Sequence, residues 1–408
     1  MNGNNLIGRR EFTVGLTGIL KQRRTTDFDI AIVGAGVFGC WIAHECRRHG
    51  RSVLLLDARG PGNSLASSGG ESRILRIGYG PQELYSAWAA ESLRAWEMLL
   101  RSIHKEDLFV RSGVLWLGDS NDAYLLATMR SLTRLEVRFE SMDMSKLRHK
   151  FPQITIRDGS IGILEVDSGF VLARRAVAAL LDRLVALGVT YRTALISVPP
   201  EIGRPLGELA TSDGIPVRAR EYVFACGPWL PKLFPNVLGK CITPTRQEVF
   251  FIAPPPGDSS YDARHLPAWV DFSASRIFYG VPDFESRGFK VASDKHGRVI
   301  DPDEEDRLAT VEALSEVRAF LKERFPALSR NACVESRVCQ YENSPTGDFI
   351  IDRHPNASNA WLVGGGSGHG FKHGPAVGKY LVSLLNGGKP DERFSIARAQ
   401  VEDSRTVH

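Results

Sequence analysis

Cysteine is scarce. Six residues (Cys40, Cys46, Cys226, Cys241, Cys333 and Cys339) fall in a chain of 408, and no two stand in C-x-x-C spacing. That excludes a disulfide scaffold or structural zinc site and points to a reducing, cytoplasmic compartment. No run of eighteen apolar residues occurs, so neither a transmembrane helix nor a membrane partner is expected. Neither sign of charge dominates. The 51 Lys and Arg against 47 Asp and Glu leave +4, mixed along the chain, which argues against a nucleic-acid partner but tolerates an anionic ligand. The histidines show no metal-ligand spacing, and no metal is expected.

With 43% hydrophobic residues, a chain of this length buries a large core and divides into two domains. Gly8-Arg9-Arg10 precedes the apolar stretch Val14 to Leu20, which reads as a twin-arginine export signal or as a basic extension. The stretch ends at Lys21-Gln22-Arg23-Arg24 without a small-residue cleavage site, which favours the extension.

The informative segment follows. Phe28 to Val33 is an apolar strand running into Gly34-Ala35-Gly36-Val37-Phe38-Gly39, a helix starts there, and Ser52 to Leu56 forms a second strand closed by Asp57. Glycines at these positions let a pyrophosphate approach backbone N–H groups, and the acidic residue 23 positions after Gly34 suits a ribose. An adenine dinucleotide is therefore expected, and Asp57 makes a 2′-phosphorylated one the least suitable. The fingerprint alone leaves FAD and NAD open.

Further on, Gly60 to Gly70 reads as a loop and Leu84 to Ile103 as a helix in which Trp88 and Trp96 are packing anchors. Leu172 to Leu187 is a second amphipathic helix, and Pro199, Pro200 and Pro205 mark an excursion. Tyr222 to Cys226 reads as a buried strand returning to the nucleotide sheet. Strand-like segments near 248–252, 268–272 and 277–281, with a helix over 309–325, predict a second domain on a mixed or antiparallel sheet. Ala360 to Val363, the glycines from 364 to 370 and a helix over 375–385 form a late strand, turn and helix. The fold class expected is α/β: a discontinuous Rossmann-like domain (28–110, 151–230, 331–390) with an inserted α+β substrate domain (111–150, 231–330). A basic extension (1–27) precedes these domains and a tail (391–408) follows them.

Four separated blocks carry a resemblance that covers nearly everything after Thr26. They are the fingerprint, Ser72-Arg73-Ile74-Leu75-Arg76, Tyr279-Gly280-Val281-Pro282 with Gly288-Phe289-Lys290, and Cys339-Gln340-Tyr341 continuing through Phe349 to Asp352 and Ser367 to Lys372. In these the chain resembles the FAD-dependent amine oxidases of the D-amino-acid oxidase superfamily, and within it the sarcosine, N-methyltryptophan and pipecolate oxidases.

The resemblance implies FAD attached through an 8α-S-cysteinyl bond to Cys339, with Cys333 the nearby alternative. It implies Lys290 as the cation that promotes oxygen reduction, Arg76 and Lys372 as the pair holding a substrate carboxylate, and Arg73 against the flavin face. Tyr279 and Tyr341 would wall the substrate cavity. Ser72, Gly368, Gly370, Phe371 and Lys372 would contact the cofactor, and the helix after Gly374 would point its N-terminus at the reduced ring. Two family histidines fall on Gly69 and Asp294, which suggests a bulkier substrate or one with an additional amine, unless Asp294 pairs with Lys295 or Arg298. His369 would stand behind the substrate-contacting groups.

The activity implied is oxidation of a secondary-amine amino acid, N-methylated or cyclic, to an imine with O₂ reduced to hydrogen peroxide, by a monomer. Three rivals stand beside it: a dehydrogenase with a non-oxygen acceptor, a biosynthetic oxidase of a bulkier or dibasic metabolite, and a noncatalytic flavin-binding partner.

Overall fold

The computed structural model describes residues 27–197, 205–272 and 276–400. The basic extension, with its twin arginines, and Pro199 and Pro200 lie outside these residues. Two sheets organise the chain. The first has six strands in the order Ile350–Arg353, Ala360–Gly364, Ala219–Phe224, Phe28–Val33, Val53–Asp57 and Thr190–Thr193. All neighbours run parallel except the first pair. Both faces are covered, so the central strands Ile30–Val33 and Val53–Leu56 are apolar throughout and buried.

The helix Val37–Arg48 covers one face and packs on the late helix Gly374–Leu385. Small residues allow that approach: a Cβ at Gly374 would lie 2.4 Å from Trp41 Cδ1, and one at Gly378 2.6 Å from the Trp41 carbonyl oxygen. Trp41, Trp96 and Phe371 continue the contact, with the Trp96 and Phe371 rings stacked at 5.6 Å and 6°. Trp88 stacks on Phe394, so both tryptophans of the helix Glu83–Ser102 are packing residues.

The second sheet has eight strands: Cys333–Asn343, Thr243–Ile252, Phe289–Ser293, Phe278–Val281, Ala268–Asp271, Val114–Asp119, Ser160–Glu165 and Phe139–Met142. Every pair is antiparallel except Ala268–Asp271 with Val114–Asp119. The helix Val311–Arg324 packs on its outer face through Val317, Phe320 and Leu321. There Arg324 and Asp271 form a buried ion pair at 2.6 Å.

Strand pairing corrects the expected boundaries. Ser160–Glu165 and Cys333–Asn343 fall in segments read as cofactor domain, yet both belong to the larger sheet. A strand's local pattern states that it is half-buried, not which sheet it joins. Within the C-terminal tail, Phe394, Ile396 and Ala399 are buried.

Candidate functional site

The fingerprint turn is shaped by close backbone approach. Gly34 has φ +105°, and a Cβ there would lie 2.3 Å from the Ala225 carbonyl oxygen; one on Gly39 would lie 1.8 Å from the Gly34 carbonyl oxygen. Gly36 offers no side-chain cap to the following helix, so Val37 N–H donates to Ser68 Oγ at 3.1 Å. Asp57 ties the turn together, accepting from the N–H groups of Ala35, Arg59 and Gly60, each at 2.8 Å.

A groove opens above this turn. Gly34, Gly36, Val37, Phe38, Asp57, Cys226, Gly227, Glu342, Gly366 and Gly370 line it, and Arg73, Tyr341, Gly368 and Phe371 close its far end. Gly39 lies beneath the wall rather than on it. The glycine cradle, the acid near one end and the cationic far end fit a flavin dinucleotide.

Those four end residues also line a second cavity, set against the larger sheet. Its other walls include Arg76, Tyr279, Lys290, Asp294, Cys339, His369 and Lys372, with Ile74, Val249, Val270, Phe272 and Ile277 supplying apolar surface. Four cations thus meet one acid. They come from the short strand Arg73–Leu75 and the residue after it, the strand Phe289–Ser293 and the 3₁₀ turn Phe371–His373.

Lys290 is 4% exposed, and its ammonium donates to the Ser72 carbonyl at 2.9 Å and Oγ at 3.3 Å. Burial, then the Arg73 guanidinium, pulls it from the ordinary 10.5 down to about 7. Arg73 donates to the Ser67 carbonyl at 2.7 Å and reaches Cys339 Sγ at 3.5 Å. Cys333 lies near the far end of the same strand, its Sγ turned to the Glu335 carbonyl, and lines none of these cavities.

Tyr79 links the other two cations. Its ring lies 4.2 Å beneath the Arg76 guanidinium, and Lys372 Nζ donates to its hydroxyl at 2.8 Å. His369 Nε2 faces the Gly347 carbonyl at 2.9 Å, so it carries the proton, and Nδ1 accepts from the Tyr79 hydroxyl at 3.1 Å. The Tyr79 oxygen then accepts from Lys372 and from His373 Nε2 at 2.8 Å. Burial, then Arg76, holds the Lys372 ammonium well below the ordinary lysine range. Burial opposes the Arg76 charge too, but Tyr79, Tyr124, Glu165 and Asp294 hold that group above its ordinary value.

Across the cavity the Tyr279 and Tyr341 hydroxyls lie 3.1 Å apart, and Tyr341 donates to Asp294 at 3.4 Å. Burial, then Asp294, pushes Tyr279 up to about 12, and burial, then Tyr279, raises Tyr341, so both stay protonated at neutral pH. Arg298 pairs with Glu305 at 2.8 Å rather than with Asp294.

Three expectations need correction or refinement. Gly69 lines neither the groove nor the second cavity but a small adjoining pocket with Arg73, Lys290 and Cys339, and a Cβ there would lie 1.8 Å from the Asn63 carbonyl oxygen, so glycine is required by the loop itself. Ser72 contacts Lys290 and lines neither the groove nor the cavity. The residues meeting the groove near the late helix are Gly368, Gly370 and Phe371, one 3₁₀ turn ahead of Gly374. Tyr79, His373 and Glu342 were not singled out as site residues, and only the position of Tyr79, three residues after Arg76, hinted at a role. Among the described residues no cluster of His, Cys, Asp and Glu could hold a metal, and no helix is long and apolar enough to cross a membrane.

A dinucleotide groove on a parallel sheet, opening at one end into a cation-lined cavity on a second sheet, defines a two-domain oxidoreductase. The family model described as FAD dependent oxidoreductase matches residues 29–384, and the chain belongs to that family. It is similar to monomeric sarcosine oxidase of Bacillus sp. (strain B-0618), 30% identical over 387 residues that cover 93% of this chain and 98% of the relative. It is also similar to N-methyl-L-tryptophan oxidase of Escherichia coli O157:H7, 29% identical over 91% of this chain and all of the relative. The solved L-proline dehydrogenase from P. horikoshii shares the fold, with TM-score 0.79, 18% identity and coverage of 93% of this chain and 100% of that one. The protein is an FAD-dependent enzyme.

Proposed function

We propose that the protein oxidises an amino acid bearing a secondary amine, N-methylated or cyclic, to its imine and reduces O₂ to hydrogen peroxide. The observation that carries this reading is the meeting of Arg76, Lys372 and Lys290 in one cavity that shares a wall with the dinucleotide groove. The names of the sarcosine and N-methyltryptophan oxidase relatives point to the same substrate class.

Arg76 and Lys372 hold the carboxylate, the first as a fork and the second as a point charge. Tyr79 fixes their spacing through its ring and its hydroxyl. With the acid held there, the substrate nitrogen lies toward the Tyr279 and Tyr341 hydroxyls and must be neutral, because its lone pair stabilises the developing iminium. FAD, held by the groove, would supply the acceptor for the two electrons that leave with the adjacent C–H hydrogen. The substrate loses two electrons and two protons, and O₂ gains both pairs as H₂O₂. Lys290 stabilises the negative charge that develops on oxygen in a poorly solvated pocket. Cys339, beside Arg73 at the mouth of the groove, is the residue proposed for covalent attachment.

Asp294 supports a narrower version in which the substrate carries a second cation or extra bulk. The unpaired state of all six cysteines favours a reducing cytoplasm. The test is an anaerobic screen of N-methyl amino acids, pipecolate, proline and dibasic amino acids, followed by loss of oxidised-flavin absorbance and then by peroxide measured after air is admitted. One peroxide per amine oxidised is expected. Flavin reduced by none of them contradicts the substrate class, and reduction without peroxide contradicts the oxidase.

A further inference from the structure

The groove contains one acidic group that neither the fingerprint nor the carboxylate pair employs. Glu342 lies on the strand Cys333–Asn343, three residues beyond Cys339 and opposite Pro244, and is 8% exposed. The backbone N–H groups of Gly365 and Gly366 donate to its carboxylate, whereas Oε2 has no partner among the described residues. Glycines leave the room around it. A Cβ on Gly364 would lie 3.1 Å from Oε2, one on Gly366 3.1 Å from Oε1, and one on Gly227 3.9 Å from Oε2. Burial pushes the carboxyl up to about 7, as expected for an acid still lacking a donor.

A buried carboxylate oxygen on a groove wall needs a hydrogen-bond donor. A pyrophosphate has none and would repel it, whereas a hydroxyl suits it. A flavin dinucleotide carries hydroxyls at two places, the adenosine ribose and the ribityl chain beside the ring. Asp57 stands at the fingerprint end of the groove, and Glu342 shares a strand with Cys339 at the other.

We propose that Glu342 accepts a hydrogen bond from a ribityl hydroxyl of FAD, so that the groove has an acidic anchor for each of the cofactor's two polyol segments. The inference rests on the FAD assignment.

The test uses flavin-free protein carrying Cys339→Ala, so that attachment cannot mask release, titrated with FAD and with analogues lacking the 2′, 3′ or 4′ ribityl hydroxyl. Adding Glu342→Leu is expected to weaken FAD binding roughly ten- to hundredfold, the range for a hydrogen bond to a charged group. One deoxy analogue should bind equally well whether or not Glu342→Leu is present, closing the cycle. Glu342→Gln, which keeps an acceptor oxygen, should fall between. Without flavin, Glu342→Leu should change the unfolding temperature little, because removal of the unpartnered buried oxygen offsets loss of the acceptor for the Gly365 and Gly366 N–H groups. Equal FAD affinity with and without Glu342 overturns the proposal. So does an equal loss for FAD and every analogue accompanied by a lower unfolding temperature, which marks a packing role. Failure of the Glu342-containing protein to bind FAD at all overturns the FAD assignment itself.

Discussion

The groove and the cavity meet over Arg73, Tyr341, Gly368 and Phe371, but their walls are built by different means. Along the fingerprint the wall is main chain brought near by absent side chains, as the 1.8 Å between a Gly39 Cβ and the Gly34 carbonyl oxygen illustrates. Around the cavity the wall is charge, with Arg73, Arg76, Lys290 and Lys372 facing Asp294. Close-packed backbone cannot yield, so the groove should fail abruptly, while each lost charge should impair a separate step.

The sharpest challenge to that contrast is Gly39→Val. Overpacking a core costs about 1–3 kcal/mol, and a clash with backbone in a central turn is expected to exceed that, with loss of flavin incorporation. The flavin-to-protein ratio and thermal unfolding report it. Full flavin content would show that the turn tolerates a side chain and that the contrast is misdrawn.

In the cavity, Lys290→Met should slow reoxidation by O₂ about 10²–10³-fold, as for removal of one group that stabilises developing negative charge. Anaerobic reduction by the amine should change far less, and stopped-flow measurement of the two half-reactions separates them. The pH dependence has a definite sign. The ammonium is present below about 7 and lost above it, so reoxidation should slow as pH rises through that value, and the variant should lack this limb. Because the folded value lies below the ordinary 10.5, the unfolded chain binds more protons between the two, and the penalty of burying Lys290 is relieved as pH rises across that window.

On the proposed reading Lys372→Met removes one of two carboxylate partners and should weaken substrate binding about tenfold or more, as for a charge-assisted hydrogen bond, with Arg76 retaining the remainder. Apparent dissociation constants from anaerobic flavin reduction measure this. The smallest effect is expected at Asp294→Asn, where discrimination in favour of a dibasic over a monobasic substrate should drop about two- to fivefold, in line with a partly exposed ion pair. Unchanged discrimination would remove Asp294 from substrate selection.

How far each region is legible follows from the same contrast. The turn from Gly34 to Gly39 and the acid at Asp57 are local, so spacing alone reveals them, and the late strand and helix over 360–385 betray the chain's return to the same sheet. The cavity carries no local pattern. Lys372 Nζ meets the hydroxyl of Tyr79 across 293 positions, and only the resemblance to known oxidases picked out Arg76, Lys290 and Lys372. Tyr79 and His373 went unseen because their roles lie in hydrogen bonds to groups contributed by other segments. Glu342 went unseen because alternation along a strand does not distinguish an acid facing a groove from one facing solvent. The strands at 160–165 and 333–343 join the larger sheet for a related reason: pairing partners are set by topology.

The central claim is that cations from separate segments grip an acid group beside the flavin. Its most direct test compares an N-methyl amino acid or cyclic imino acid that reduces the flavin with its own carboxamide, under anaerobic conditions, in the native protein and in Lys372→Met. The account predicts that the native protein strongly favours the acid and that the variant loses most of this preference. Equal reduction of the flavin by acid and amide in the native protein would contradict it.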